Sequence, residues 1–156
     1  PTKLVADAML GSLARKLRIF GYDTLYFREG SDAELERVAI AEDRVIVTAD
    51  RGLAEHADRR GVRVLAVEGQ SDRARLESLL AQARSSSLVL RAGSPRCAIC
   101  NSSLERVGRV VAEESLPPAV TTRHRLYYRC TACRKLYWRG GHWRRLRKLS
   151  AIVKQR

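Results

Sequence analysis

The sequence predicts an α/β fold: a three-layer domain with a mostly parallel sheet, then a small β-rich module and a basic C-terminal helix. Three observations carry this reading. Short apolar, β-branched runs alternate with stretches of helical spacing through the first half of the chain. Four cysteines stand as two Cys-x-x-Cys pairs, Cys97/Cys100 and Cys130/Cys133, with 29 residues between them. The charge also divides. Residues 1–90 hold 14 Lys+Arg against 14 Asp+Glu, whereas residues 91–156 hold 16 against 3 and so carry the whole net charge of +13. The expected organisation is a first domain over 1–84, a linker over 85–95 and a cysteine-bearing module with its basic tail over 96–156.

Lys3-Leu4-Val5-Ala6 reads as a buried strand ending at Asp7. Leu10, Leu13, Ala14, Leu17 and Phe20 recur at helical spacing, and Gly21 supplies a stop. Arg15, Lys16 and Arg18 fall on the opposite face of that helix. Asp23 to Phe27 forms a second strand. Ser31 and Glu34 make a capping box, which opens a helix with Leu35, Val38, Ala39 and Ala41 on its apolar stripe. Glu36 is expected to be solvated there. Arg44-Val45-Ile46-Val47-Thr48 is the clearest strand, with Asp50 two residues past its end. A helix over Leu53 to Arg59 ends at Gly61. Val62 to Val67 is a fourth strand, and Ser71 or Asp72 caps a helix with Leu76, Leu79 and Leu80 inward. About 85 residues bury such a core with little to spare.

Arg84 to Pro95 has the Ser, Gly and Pro content of a linker, with room for a short strand at Leu88-Val89-Leu90. Beyond Cys97 the β-prone pieces are short: Leu104 to Ala112, Arg125 to Arg129 and Lys135 to Arg139. Each cysteine pair belongs in a tight turn. Four thiolates at this spacing make a closed tetrahedral site for structural zinc. Disulfides are the poorer reading, because nothing in the chain resembles a secretion signal. From His142 onward, Trp143, Leu146 and Leu149 keep helical spacing among Arg144, Arg145, Arg147 and Lys148.

In a parallel sheet, ligands gather beyond the carboxyl ends of the strands. Asp7 and Asp50 fall there, and Asp32, at a helix start, lies on the same edge. Three carboxylates on one rim make a site for Mg²⁺ or Mn²⁺, hard cations that take oxygen ligands and bridge to phosphate. The chemistry that follows is phosphodiester hydrolysis. Each aspartate taken alone serves equally well as a helix cap. The basic second half calls for a polyanion, since Lys and Arg contacts to phosphate supply most non-specific nucleic-acid affinity.

Residues 4–21, LVADAMLGSLARKLRIFG, resemble the opening of the Mut-seven carboxy-terminal ribonuclease domain family, a PIN-like fold followed by a zinc ribbon. SDAELERVAIAEDRVIVTADRGL at 31–53, RCAICNSSL at 96–104 and CTACRKLYWRGGHWRRLR at 130–147 match in order. The resemblance implies a metal-dependent ribonuclease with Asp7, Asp32 and Asp50 as acidic ligands, and it draws attention to Arg15 and Arg18 in the LARKLR block. Lys16 stands where an aromatic is frequent in such domains. PIN-like domains often add a fourth acid after the third strand; Glu55 and Asp58 are the candidates here, and neither has persuasive spacing. Guanidinium matches phosphate bidentately, so Arg15, Arg18 and Arg51 are candidate phosphate clamps. In the basic module, Arg139, Trp138, His142, Trp143, Arg144 and Arg145 are candidate RNA contacts, cations and rings that suit unpaired bases. At least half of the module's aromatics are expected to be packing, with Trp138 and Trp143 at least partly exposed.

The expected cofactors are thus structural zinc and catalytic Mg²⁺ or Mn²⁺, and the expected partner is RNA. A small-molecule partner is not expected, no protein partner is indicated, and a cytoplasmic setting is the default. No apolar run of about 18 residues exists, so no membrane span is expected. The competing reading is a non-catalytic RNA- or ribosome-binding zinc-ribbon protein with a degenerate α/β domain. A DNA-binding regulator is the third.

Overall fold

A computed structural model describes residues 1–154, apart from the side chains of His142, Arg144 and Lys154. Strands β1 (Lys3–Ala6), β2 (Asp23–Tyr26), β3 (Val45–Thr48) and β4 (Val64–Ala66) form one sheet in the order β2-β1-β3-β4. All three pairings are parallel. The connections are α1 (Gly11–Ile19), preceded by a short 3-10 turn over Ala8–Leu10, then α2 (Asp32–Ala41) and α3 (Arg51–Arg59); α4 (Asp72–Ser85) follows β4.

Strand side chains alternate between faces, and that alternation builds two cores. Leu4, Ala6, Val45 and Val47 pack with Leu13 and Leu17 of α1 and with Leu76 and Leu79 of α4. Val5 and Ile46 point the other way, onto Leu35 and Ala39 of α2 and Leu53 and Ala57 of α3. A sheet covered on both faces needs apolar residues at successive positions, which is why β1 and β3 read as unbroken runs. The expected Ser31–Glu34 capping box opens α2, with both of its hydrogen bonds present.

Gly21 closes α1 at φ +94°, and a Cβ there would lie 2.1 Å from the Gly93 carbonyl oxygen. The close approach arises because residues 86–95 run back along the first domain. Leu88 and Leu90 join its core. The Gly93 amide donates to Gly21 O at 2.8 Å and the Thr2 amide to Arg91 O at 2.9 Å. Leu88–Leu90 forms no strand.

The second half holds an antiparallel sheet of β5 (Leu104–Val107), β6 (Tyr127–Cys130) and β7 (Leu136–Trp138), in that order. The expected β-prone piece from Leu104 to Ala112 stops at Val107. Gly108 starts α5 (Arg109–Glu113), whose Arg109–Glu113 ion pair at 2.6 Å has the i,i+4 spacing that favours helix. A further turn, α6 (Pro118–Thr121), begins with proline at its first position. Helix α7 (Gly141–Lys154) leaves this module and returns to the first. Its Leu149, Ile152 and Val153 pack on the α1/α4 core.

The cysteine-bearing turn docks at the amino-terminal edge of the parallel sheet. Arg18, near the end of α1 and 5% exposed, donates to Thr24 O at 2.8 Å, Ala98 O at 2.8 Å and Ile99 O at 2.9 Å. Asp23, the first residue of β2, accepts from Arg44 and from the Asn101 side chain, both at 2.8 Å. The Thr24 amide donates to Asn101 Oδ1 at 3.1 Å. Among the described residues, no helix is long and apolar enough to cross a membrane.

Candidate active site and metal centre

The strand order puts a topological switch between β1 and β3, since the chain leaves β1 toward β2 on one side and β3 continues to β4 on the other. The crevice at the carboxyl end of such a switch is the usual ligand site of an open α/β sheet. Asp7 follows β1, Asp50 stands two residues past β3, and Asp32 opens α2. All three line one cavity of about 140 Å³.

Two of the acids are held by helix starts. Asp7, 7% exposed, accepts the Met9 amide at 2.9 Å on Oδ1 and the Thr48 hydroxyl on Oδ2. Asp50 caps α3, its Oδ1 accepting the Leu53 amide at 3.1 Å. Thr48 ties the pair together: its oxygen donates to Asp7 and accepts the Asp50 amide at 2.9 Å. Asp32 is exposed, with Ser31 rather than itself as the cap of α2. Among the described residues, no Lys, Arg or His forms an ion pair with any of the three. The three carboxylates thus line one cavity, two of them held by amides and a hydroxyl, but among the described residues their oxygens do not form a group within 4.8 Å of one another.

Sequence reasoning missed two residues here. Arg28 and Glu29, in the turn between β2 and α2, line the same cavity. Gly30 shapes that turn at φ +134°, where a Cβ would meet the Phe27 ring at 2.5 Å. A glycine ahead of a capping box was the available signal. Glu55 and Asp58 do not line the cavity. Glu36 corrects an expectation: it is 1% exposed, not solvated. It faces α3, with Oε1 at 2.7 Å from His56 Nδ1 and Oε2 at 3.3 Å from Arg60.

The candidate phosphate clamps part company. Arg15 is exposed on α1. Arg51 is exposed and paired with Glu68 at 2.7 Å. Arg18 is not a surface cation at all. Its guanidinium is committed to the three carbonyls already described, so the reading of Arg18 as an RNA contact is corrected to a fastening between the two halves. Burial, partly offset by nearby Cys97 and Cys100, lowers its pKa.

The four cysteines converge. Their sulfurs all lie within 4.8 Å of one another, the one such group of potential ligands among the described residues. Cys97 and Cys133 are 3.6 Å apart, and Cys100 and Cys130 are 3.4 Å apart. Zinc–thiolate bonds of about 2.3 Å at tetrahedral angles place sulfurs about 3.8 Å apart, so the cage fits the ion. The Ser102 side chain and amide pull the Cys100 thiol down to about 6. The Lys135 amide favours the Cys133 thiolate, yet burial and the neighbouring sulfurs push that thiol up to about 12. The Tyr137 hydroxyl lies 3.0 Å from Cys97 Sγ and accepts the Ala98 amide at 3.1 Å. Burial, then the Cys97 contact, raises the Tyr137 pKa.

In the basic module, Tyr127 is fully buried, whereas Tyr128, Tyr137, Trp138 and Trp143 are half-buried. Arg139 is exposed and stacks over the Trp143 ring, 5.4 Å from its centroid. Arg145 is exposed on α7. The side chains of His142 and Arg144 lie outside the described residues.

A parallel α/β domain with acids at its switch point, joined to a four-thiolate ribbon, defines the class. The chain matches the family model of the Mut7-C RNAse domain over residues 2–150, and it belongs to that family. No match was found among curated proteins or solved structures.

Proposed function

We propose that the protein is a divalent-metal-dependent ribonuclease of PIN-like type, cutting RNA at Asp7, Asp32 and Asp50 and gripping it through the basic zinc ribbon. The observation that carries this is the shared cavity: three carboxylates from three separate elements line one space, and among the described residues none of them is ion-paired to a cation. Family membership supports RNA as the substrate class. Asp7, Asp32 and Asp50 would hold Mg²⁺ or Mn²⁺, which supplies charge stabilisation at the phosphate and a more acidic water. Asp7 is the fixed member, oriented by the Met9 amide and Thr48. Asp32 and Asp50 stand on the open side, where a phosphodiester can reach them. Exposed Arg28 and Arg15 offer guanidinium to flanking phosphates.

One observation favours a second reading, a binding protein without catalysis: Asp7 and Asp50 both already serve as caps. Asp50→Asn separates the two, because asparagine caps about as well as aspartate and keeps the fold. Labelled single-stranded RNA is incubated with Mg²⁺ or Mn²⁺ and the variant. Loss of cleavage with RNA binding kept is the expected result. Cleavage at the unaltered rate in clean variant protein overturns the site, and binding without cleavage by the unaltered chain favours the second reading.

A further inference from the structure

A second cavity, of about 420 Å³, opens where the two halves meet. Both tryptophans of the chain line it. Tyr128, Tyr137, Arg139 and Arg96 add to the polar and aromatic wall, and Ile19 at the end of α1 also lines it. Among the described residues, no carboxylate lines it. The volume suits a small organic group, since such sites run from about 300 to 1,000 Å³. Half-buried rings beside arginines suit a flat, electron-rich group attached to an anion. Arg139, already stacked on Trp143, keeps a cation at the mouth before any ligand arrives.

Its position relative to the acids is set by α1. Met9, just ahead of α1, lines the acidic cavity, and Ile19, its last residue, lines the aromatic one. Nine residues of helix span about 13 Å. Ser12, Arg15 and Ile19 share one face of that helix by their spacing. Ser12 and Arg15 are exposed there.

We infer that the aromatic cavity receives an unpaired base of the RNA strand that the acids cut, with Arg15 contacting a phosphate between them. This base recognition lies at a distance from the chemistry and rests on the ribonuclease reading only for the cutting.

The test uses the full chain, zinc-loaded and carrying Asp50→Asn so that RNA survives. Because both tryptophans border the cavity, their emission reports its occupancy. A ten-residue oligouridylate, an abasic ribose-phosphate oligomer of the same length and a fully paired RNA duplex are titrated in turn. The oligouridylate is expected to quench the emission, and the abasic and duplex probes to leave it nearly unchanged. The abasic oligomer is expected to bind about five- to a hundredfold more weakly, the range for losing base–aromatic stacking. Trp143→Ala should reproduce that loss and Trp143→Phe restore most of it. Arg15→Gln should weaken the oligouridylate a few-fold with the quenching amplitude kept. Equal affinities for the intact and abasic oligomers with unchanged emission overturn the inference, and leave a grip made of charge alone. If Trp143→Ala does not fold, the intact-against-abasic comparison on the unaltered ribbon still decides. The two proposals fail differently. An absent base effect with cleavage still dependent on Asp50 sinks the cavity, whereas base-dependent quenching with cleavage indifferent to Asp50 sinks the active site.

Discussion

Thr48 is fully buried and makes two hydrogen bonds through its hydroxyl, donating to Asp7 while accepting from the Asp50 amide. In the proposed site it would position both carboxylates. Thr48→Val keeps the shape and removes both bonds, so metal-dependent cleavage is expected to fall about 10- to 100-fold, the usual range for groups that orient metal ligands. Thr48→Ser should recover most of it; a valine variant with undiminished cleavage rejects the role. Arg18 makes the opposite kind of contribution. Arg18→Ala strands three carbonyls, two of them in the zinc-side turn. A loss of about 2–4 kcal/mol is expected by denaturant titration. A surface clamp would instead leave stability unchanged and weaken RNA binding. That Asp7, Asp32 and Asp50 fall on one edge of the sheet was legible because their places depend on local strand and helix starts. Arg18 and Glu36 were not, because their partners lie some 80 and 20 positions away along the chain.

At the scale of elements, helices and strands of the first domain were legible down to their caps, since alternation and capping are local rules. The second half was less so. Its strands are three or four residues long, and the stretch after Val107 turned helical once Gly108 broke the strand. The four clustered cysteines are its candidate organiser. One zinc per chain is expected by metal analysis. Stripping it with a thiol reagent should unfold the ribbon while the parallel sheet persists, seen as partial loss of far-UV signal. Full retention of the signal would count against zinc as the organiser.

The docking seam adds a pH dependence. Burial raises the Asp23 pKa, but the hydrogen bonds of Arg44 and Asn101 outweigh it and hold the carboxyl below its ordinary value. A depressed carboxylate stabilises the fold above its unfolded pKa, and that contribution is lost as pH falls through the folded pKa. Asp23→Asn should therefore cost stability at pH 7 and progressively less below about pH 4. A difference from the unaltered chain that stays constant across that range would show that Asp23 does not titrate this contact.

Across the whole molecule, the ribbon sits at the amino edge of the parallel sheet and the acids at its carboxyl edge. The polar division of charge was legible; the route between the poles was not, because it needs the docked turn to be seen. With the whole formal net charge of +13 lying after residue 90, RNA affinity should weaken at least about tenfold between 50 and 200 mM salt. Salt-indifferent binding would dismiss a phosphate grip.

The seam's chemistry has an evolutionary corollary. Arg18 anchors the ribbon through the peptide oxygens of Ala98 and Ile99, groups that every amino acid provides. Mutation can therefore rewrite the outward side chains of that turn without unfastening the joint. A lineage is free to change what that turn presents while the acid-lined end of the sheet stays untouched.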